Sequence, residues 1–104
     1  MEAKQIARQL GTLSIEERVQ IIGALLQAYP EGLQMLEIAA RTELNAGATY
    51  KQLDSLMGSE MVSVKSVDNN KIYFANFDML EKLFDFMYHN YGPGLRSAKE
   101  LVEQ

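Results

Sequence analysis

The segment from Leu33 to Val62 constrains the fold most strongly, because it contains two short helical patterns with only a few residues between them. The first pattern covers Leu33 to Thr42. Asn45 stands just before the second, where its side-chain oxygen can accept from the free backbone N–H groups of the first helical turn. We therefore predict two short helices joined by a tight turn, the second capped by Asn45 and followed by a strand.

The second helix of this segment has two distinct faces. Positions 46, 47, 50, 51 and 54 share the face that such a helix pair presents to a binding partner. On the opposite face, four side chains recur at spacings of four, three and one, which predicts that they pack inward. These four are Thr49, Leu53, Leu56 and Met57.

Two further helices are predicted before this segment. Residues 2–10 form the first, with Ile6 and Leu10 four residues apart. The sequence Ser14-Ile15-Glu16-Glu17 has the form of a capping box, so we expect the second helix to begin after Ser14. Pro30 marks the end of that helix, because the residue before a proline is disfavoured in helical geometry. Its predicted core stripe is Ile15, Val19, Ile22, Leu26 and Tyr29, flanked by Ile21 and Leu25. The predicted inward side chains of the short helix from Leu33 are Leu36, Ala39 and Ala40.

A β-hairpin is predicted after residue 61. Val62, Val64 and Val67 begin a strand pattern, and Asp68-Asn69-Asn70 supplies turn residues. The return strand covers Lys71-Ile72-Tyr73-Phe74, in which Ile72 and Phe74 share a face.

The last long helix is predicted to open at Asn76 or Phe77, and Gly92-Pro93-Gly94 ends it. Its apolar stripe is too broad to cover one side of a small core, so we expect the surplus to be buried against a second subunit. A short final helix is predicted over residues 95–102. The expected homodimer interface consists of Ile6, Leu10, Leu80, Phe84, Met87, Tyr88 and Tyr91.

Composition excludes several classes of protein. The 104 residues carry no cysteine, which rules out disulfides and thiolate metal sites, and their net charge of −4 does not favour general attraction to nucleic acid. There is no apolar run long enough to span a membrane and no signal-peptide pattern, so we expect a cytoplasmic protein. No nucleophile, phosphate-loop, zinc-binding or paired-carboxylate motif is present, and we therefore do not expect an enzyme.

The order of these elements resembles the winged helix-turn-helix of the ArsR/SmtB family of bacterial repressors. The family's opening L-x-D-P-T-R-L-x-I-L is similar to residues 13–22, LSIEERVQII. Its E-L-A is similar to Glu37-Ile38-Ala39, and its L-S-Q-S-T-V-S-x-H-L to residues 44–53, LNAGATYKQL. The resemblance implies a mainly α fold with a small β-hairpin, as a single domain over residues 1–104. Within it, residues 33–57 would form the helix-turn-helix, 62–75 the wing and 77–91 the dimerisation helix.

The same resemblance predicts a homodimeric regulator, a repressor by analogy, whose partner is double-stranded operator DNA. Gln52 suits adenine, and Lys51 suits guanine or phosphate. For Lys65 and Lys71 in the wing, solubility is as good an explanation as backbone contact. The predicted DNA-binding residues of the helix-turn-helix are Arg41, Asn45, Gly47, Thr49, Tyr50, Lys51 and Gln52.

Departures from the family concern its metal sites. A thiolate Cys-x-Cys sensor would stand where this chain has Gln34-Met35-Leu36, and a second site would begin at Asp78-Met79-Leu80 with later ligands at Tyr91 and Gly94. A single carboxylate does not hold zinc. We therefore expect no metal, no cofactor and no metal sensing at either site.

Two questions stay open from the sequence. An unknown small-molecule or protein effector could use the aromatic last helix, although core or dimer packing explains the same Phe84, Tyr88 and Tyr91 equally well. The alternative to DNA binding is a winged helix whose acidic exposed face binds a protein.

His89, the only histidine, is expected to be a surface or interface residue.

Overall fold

The computed structural model describes residues 2–89, and the predicted helix at 95–102 and Tyr91 lie outside them. The element order agrees with the prediction of four helices, a hairpin and a further helix. The hairpin strands pair antiparallel. The elements are α1 (Ala3–Thr12), α2 (Glu16–Gln27), α3 (Met35–Thr42), α4 (Ala46–Gly58), β1 (Val62–Val67), β2 (Asn70–Ala75) and α5, which is helical over residues 77–89.

Helix α2 forms the centre of the core, and α3, α4 and β2 pack against it. Ile21 and Leu25 are fully buried, whereas Val19 and Tyr29 of the predicted stripe are about half exposed. Ile22, at the centre of the predicted stripe, is buried and Leu26 packs against the core, so the prediction was correct there and wrong at Val19 and Tyr29. The flanking Ile21 and Leu25 are the most deeply buried side chains of the helix. Both stripes satisfy the helical period, so the rotation of α2 was decided by the elements that pack on it.

The turn between α1 and α2 differs from the predicted capping box. Helix α1 continues to Thr12, and α2 begins at Glu16 with Ile15 as its cap residue and no side-chain cap. The Ser14 hydroxyl instead donates to the Gly11 carbonyl at 2.6 Å. Ser14 thus satisfies the end of α1 and leaves the beginning of α2 uncapped.

Helix α3 begins two residues later than predicted, and its inward face differs. Leu33 lies before the helix and pairs with Tyr73 of β2 as an isolated bridge. Ile38 and Ala39 are buried, but Leu36 is 67% exposed and Ala40 is also exposed, so those two predictions were wrong. Because α3 is held between α2 and α4, the face containing Ile38 turns inward and Leu36 points to solvent.

The hairpin has a two-residue turn. Val67 pairs with Asn70, so Asn70 belongs to β2 and the turn consists of Asp68 and Asn69, with φ of 50° and 66°. Positive φ at both positions is the geometry of a type I′ turn, which Asp and Asn tolerate well. In β2 the core-facing side chains are Tyr73 and Ala75; Ile72 and Phe74 share the other, half-buried face.

Asn76 fixes the junction between the hairpin and α5. Its side-chain nitrogen donates to the Glu60 carbonyl at 2.7 Å, and its oxygen accepts from the Met79 N–H at 3.3 Å. Leu80 and Leu83 of α5 are then buried. Among residues 2–89, no helix is long and apolar enough to cross a membrane.

Candidate nucleic-acid interface

Helix α4 is anchored by one face and free on the other. Thr49, Leu53 and Leu56 are fully buried, as predicted, and Met57 packs partly buried against the same core. The five positions expected to point outward are all exposed: Ala46, Gly47, Tyr50, Lys51 and Asp54. This free face carries one positive and one negative charge, so it offers shape and hydrogen bonding more than a strong electrostatic field.

The N-terminus of α4 is held by Asn45. Its side-chain oxygen accepts from the Ala48 N–H at 2.7 Å, which confirms the predicted cap. The cap uses the oxygen and leaves the side-chain nitrogen available. At Gly47, an added Cβ would lie 3.5 Å from the Asn45 oxygen, an ordinary contact. The fold itself therefore does not require glycine there.

Thr49 has to be removed from the predicted DNA contacts. Its side chain has no exposed surface, and its hydroxyl donates to the Asn45 carbonyl at 2.9 Å. The same helical spacing that places Thr49 with Leu53 and Leu56 turns it away from the free face. Its prediction as an inward residue was correct, and its prediction as a base or phosphate contact was wrong.

Gln52 lies at the side of α4 that faces α2. The Arg18 Nε donates to the Gln52 side-chain oxygen at 2.9 Å, and the Arg18 Nη1 donates to the Thr12 carbonyl at 3.1 Å. Arg18 and Gln52 are both half-buried. Arg18 thus connects the end of α1 with a side chain of α4. No site role was predicted for Arg18 from the sequence.

Tyr50 lies at the opposite side of α4, where a surface groove of about 350 Å³ separates α4 from the hairpin. The side of the groove formed by the hairpin carries Asn69, Asn70 and Lys71, and the start of α3 closes one end. Tyr50 is 58% exposed, so its ring and hydroxyl are available in the groove. The complete lining is Gln34, Met35, Leu36, Tyr50, Asn69, Asn70, Lys71 and Tyr73.

The two wing lysines lie on opposite faces of the hairpin. Lys71 pairs with Ser66 and has the same strand parity as the buried Tyr73, and it lines the groove beside Tyr50. Lys65 pairs with Ile72 on the other face, where its Nζ lies 5.5 Å from the centre of the Phe74 ring. Only Lys71 is therefore brought together with the free side of α4.

Arg41 is also separated from that groove. It stands in the last turn of α3 and lines a different depression of about 360 Å³ between α3 and α2, together with Gln20, Gln27 and Glu43. Its predicted contact with DNA stays a prediction.

The residues predicted for the dimer interface divide into two groups. Ile6 and Leu80 are buried within the chain itself, so they cannot provide a free interface in this state. Leu10 and Phe84 are 43% and 54% exposed, Tyr88 is exposed, and Met87 is half-buried. Ile6 and Leu80 fit the same helical period as the exposed residues, which is why the pattern alone did not separate them.

Over residues 2–89, no group of three or more His, Cys, Asp or Glu side chains could hold a metal ion. The segment that would correspond to the thiolate sensor begins at the cap of α3: the Gln34 N–H donates to the Glu37 carboxylate at 3.0 Å. Glu37 is therefore engaged in capping, and Leu36 beside it offers only a hydrocarbon side chain.

No protein-family model and no curated protein matches this sequence. Solved structures do match the fold. An ArsR-like transcriptional regulator from Rhodococcus sp. RHA1 superposes with a TM-score of 0.71 at 20% identity, covering 96% of this chain and 92% of its own. A homodimeric winged helix-turn-helix DNA-binding domain from Mycobacterium bovis, a possible ArsR-family regulator, gives 0.67 at 21% identity, covering 97% and 85%.

MepR from S. aureus, solved in complex with DNA, gives a TM-score of 0.60 at 18% identity, with 96% of this chain and 90% of MepR covered. At these identities the similarity concerns the fold. This chain has the winged helix-turn-helix fold seen in ArsR-like transcriptional regulators.

Proposed function

We propose that this protein is a sequence-specific DNA-binding transcriptional regulator, a repressor by analogy, that acts as a homodimer. The observation that supports this most directly is the free face of α4. That face is exposed along its length, and the groove beside it continues to Lys71 of the hairpin. A helix presented in this way, with a hairpin beside it, can enter the major groove while the hairpin meets the adjacent phosphate backbone.

Each candidate residue then has a distinct role. Tyr50, Lys51 and Gln52 would contact base edges or phosphates from the N-terminal half of α4, and the nitrogen of Asn45 remains available while its oxygen caps the helix. Gly47 would allow the helix backbone to approach the DNA closely. Lys71 would bind phosphate from the groove, whereas Lys65, over the Phe74 ring, is less directly placed.

Dimerisation is proposed through α1 and α5. Leu10 and Phe84 are large apolar side chains left exposed by the single chain, and Met87 is only half-buried. We propose that a symmetric contact burying them brings two α4 helices to the same side of the dimer. Such helices read half-sites about 34 Å apart, one turn of DNA.

We further propose that the regulator does not sense metal through either of the two metal sites known from the ArsR/SmtB family, which this chain resembles. At the first of these positions Leu36 cannot ligate, and Glu37 accepts the Gln34 N–H. An effector, if the protein has one, would act by favouring one separation of the two α4 helices over another.

A second candidate function rests on an apolar feature of the same groove. Leu36 is 67% exposed, and it lines the groove together with Met35 and the exposed Tyr50. An apolar patch of this kind on a winged helix could instead bind a protein. The two functions differ in their response to salt, because contacts with phosphate release counterions and apolar contacts do not.

The test is binding of the purified protein to its own upstream DNA at two salt concentrations. If Lys51 and Lys71 contact phosphate in both protomers, about four contacts give a salt slope near −3.6, so affinity should fall about 150-fold between roughly 50 and 200 mM salt. A Lys51→Ala, Gln52→Ala double variant should lose sequence-selective binding. Lys82→Ala, on the exposed surface of α5, is the control and should retain it.

A well-folded dimer that shows no selective binding at low salt would contradict the proposal. Binding of a protein partner that persists at high salt and is lost on Leu36→Ser would favour the second function.

A further inference from the structure

The contact between Arg18 and Gln52 determines which atoms Gln52 can offer to DNA. A guanidinium group has only N–H donors, so the atom of the Gln52 amide that faces Arg18 has to be the oxygen. The 2.9 Å distance from the Arg18 Nε to that oxygen is that of a good hydrogen bond. Rotating the amide by half a turn would place its NH₂ group against the guanidinium, donor against donor.

Arg18 is itself held in place. Its Nη1 donates to the carbonyl of Thr12 at the end of α1, and the Thr12 hydroxyl lies 3.1 Å from the hydroxyl of Ser59, just after α4. The guanidinium is thus fixed between the end of α1 and the side of α4. Because Arg18 and Gln52 are both half-buried, their bond is less exposed to competition from water than a contact on the open surface.

This arrangement changes the base that Gln52 is suited to read. Bidentate recognition of adenine needs both amide atoms, the oxygen to accept from N6 and the nitrogen to donate to N7. With the oxygen turned toward Arg18, the NH₂ group is the part of the side chain that can point outward. Guanine presents two acceptors, N7 and O6, in the major groove and fits a group that only donates.

We propose that Arg18 is a specificity-determining positioning residue, which fixes the Gln52 amide as a donor so that the protein reads guanine at the position facing Gln52. This rests on the proposed function, since it assumes that α4 enters the major groove. Arg18 touches no DNA in this proposal and acts only through Gln52. The proposed preference for guanine replaces the preference for adenine that the residue type of Gln52 alone suggested.

The experiment is selection of binding sites from randomised double-stranded DNA by the full chain and its variants. Gln52→Ala identifies the base position that Gln52 reads, because only there should the preference disappear. At that position the unmodified protein should favour guanine over adenine by about tenfold, within the range of a good base contact. Arg18→Met frees the amide to present either atom, so the guanine preference there should fall to about twofold or less, with other positions unchanged.

Arg8→Met is the matched control. It removes the same charge from exposed α1, and the Arg8 side chain makes no hydrogen bond among the described residues. It should leave the preference intact. Thermal unfolding of each variant verifies that it is folded under the selection conditions.

A second variant keeps the test decisive if Arg18→Met does not fold. Gln52→Glu retains a partner for Arg18 but offers only acceptors, so the preference should change from guanine to a base with an amino donor, cytosine or adenine.

An unchanged guanine preference in Arg18→Met or in Gln52→Glu would overturn the proposal. So would a Gln52→Ala protein that selects the same site at every position, and in that case the proposed DNA-binding function would stand. Failure of every variant and of the unmodified protein to select any sequence would remove the proposed function itself.

Discussion

Leu33 and Tyr73 exchange two backbone hydrogen bonds, with the Leu33 N–H donating to Tyr73 at 2.9 Å and the Tyr73 N–H donating to Leu33 at 2.7 Å. This bridge joins the chain just before α3 to the return strand of the hairpin. It therefore sets the distance between the start of α3 and the hairpin, which together close the groove beside Tyr50. The bridge thus adds to the direct contacts of β1 with α4 and of β2 with α2 in holding the hairpin in place.

Gly32 is the residue that allows the bridge to form. Its φ is +76°, and an added Cβ would lie 2.6 Å from the Tyr73 carbonyl oxygen, a backbone atom that cannot move freely. We expect Gly32→Ala to lower the free energy of unfolding by about 2–4 kcal/mol, through positive-φ strain together with the steric conflict. Denaturant unfolding measures this change.

Gly23 supplies the control for this substitution. It lies within α2, and an added Cβ would meet nothing within 4 Å. Gly23→Ala should raise the free energy of unfolding by about 0.5–1 kcal/mol, because alanine favours a helix interior. Equal effects of the two substitutions would contradict the structural role given to Gly32.

Asn45 allows the stability of α4 to be separated from its binding. Asn45→Ala removes the acceptor for the Ala48 N–H and should lower the free energy of unfolding by about 1 kcal/mol. Asn45→Asp keeps the cap and should preserve stability, since aspartate caps helices equally well and its charge suits a helix N-terminus. The aspartate nevertheless brings a negative charge to the end of α4 that is proposed to approach DNA, so affinity for DNA should fall by about tenfold at low salt, or about 1.4 kcal/mol.

Unfolding and DNA-binding measurements on the same two proteins distinguish these effects. If Asn45→Asp bound DNA as tightly as the unmodified chain, the N-terminus of α4 would not be close to phosphate.

Local chemistry explains which parts of the fold were predictable. The Asn45 cap, the inward set of Thr49, Leu53 and Leu56, and the hairpin turn with Asp68 and Asn69 each depend on residues within a few positions of one another. Their side chains determine the local backbone directly, so these three features could be predicted from the sequence.

The errors occur where two faces of an element are both apolar. In α2, Ile21 and Leu25 compete with Val19 and Tyr29 for the core. In α3, the inward face is set by α2 and α4, which leaves Leu36 outside. Which face of each helix is buried depends on contacts between residues distant in sequence, and a local hydrophobic pattern does not reveal those contacts.

The candidate site shows the same division. The outward positions of α4 follow from its helical period and were correctly predicted. The bond between Arg18 and Gln52, and the separation of Lys65 from Lys71 by strand parity, depend on tertiary placement and pairing register. The contribution of Arg18 could not be read from spacing, since 34 residues separate it from Gln52.

The two wing lysines should differ in their effect on DNA binding. Lys71 lines the groove beside Tyr50, whereas Lys65 lies on the other face of the hairpin over the Phe74 ring. Lys71→Ala would remove the proposed phosphate contact from each protomer and should reduce the magnitude of the salt slope by about 1.8 in the proposed dimer. Lys65→Ala removes an equal charge and should change the slope by less than about half as much.

Titration of DNA binding against salt for both variants measures these slopes. A larger change in Lys65→Ala than in Lys71→Ala would show that the outer face of the hairpin, and not the groove, approaches the backbone.

Phe84 tests whether α5 forms the dimer and whether dimerisation supports DNA binding. Its side chain is 54% exposed, while Leu80 and Leu83 before it are buried in the chain's own core. Phe84→Glu should therefore leave the fold intact but place a charge in the proposed interface, where an unpaired buried charge is strongly unfavourable. We expect sedimentation to give a monomer at concentrations where the unmodified chain is a dimer, with a large loss of affinity for a two-half-site operator.

Lys82→Glu, exposed on the same helix, introduces the same side chain and should remain a dimer. A Phe84→Glu protein that stays dimeric would place the interface elsewhere, whereas a monomer that still binds the operator as tightly would show that the two half-sites are not read together.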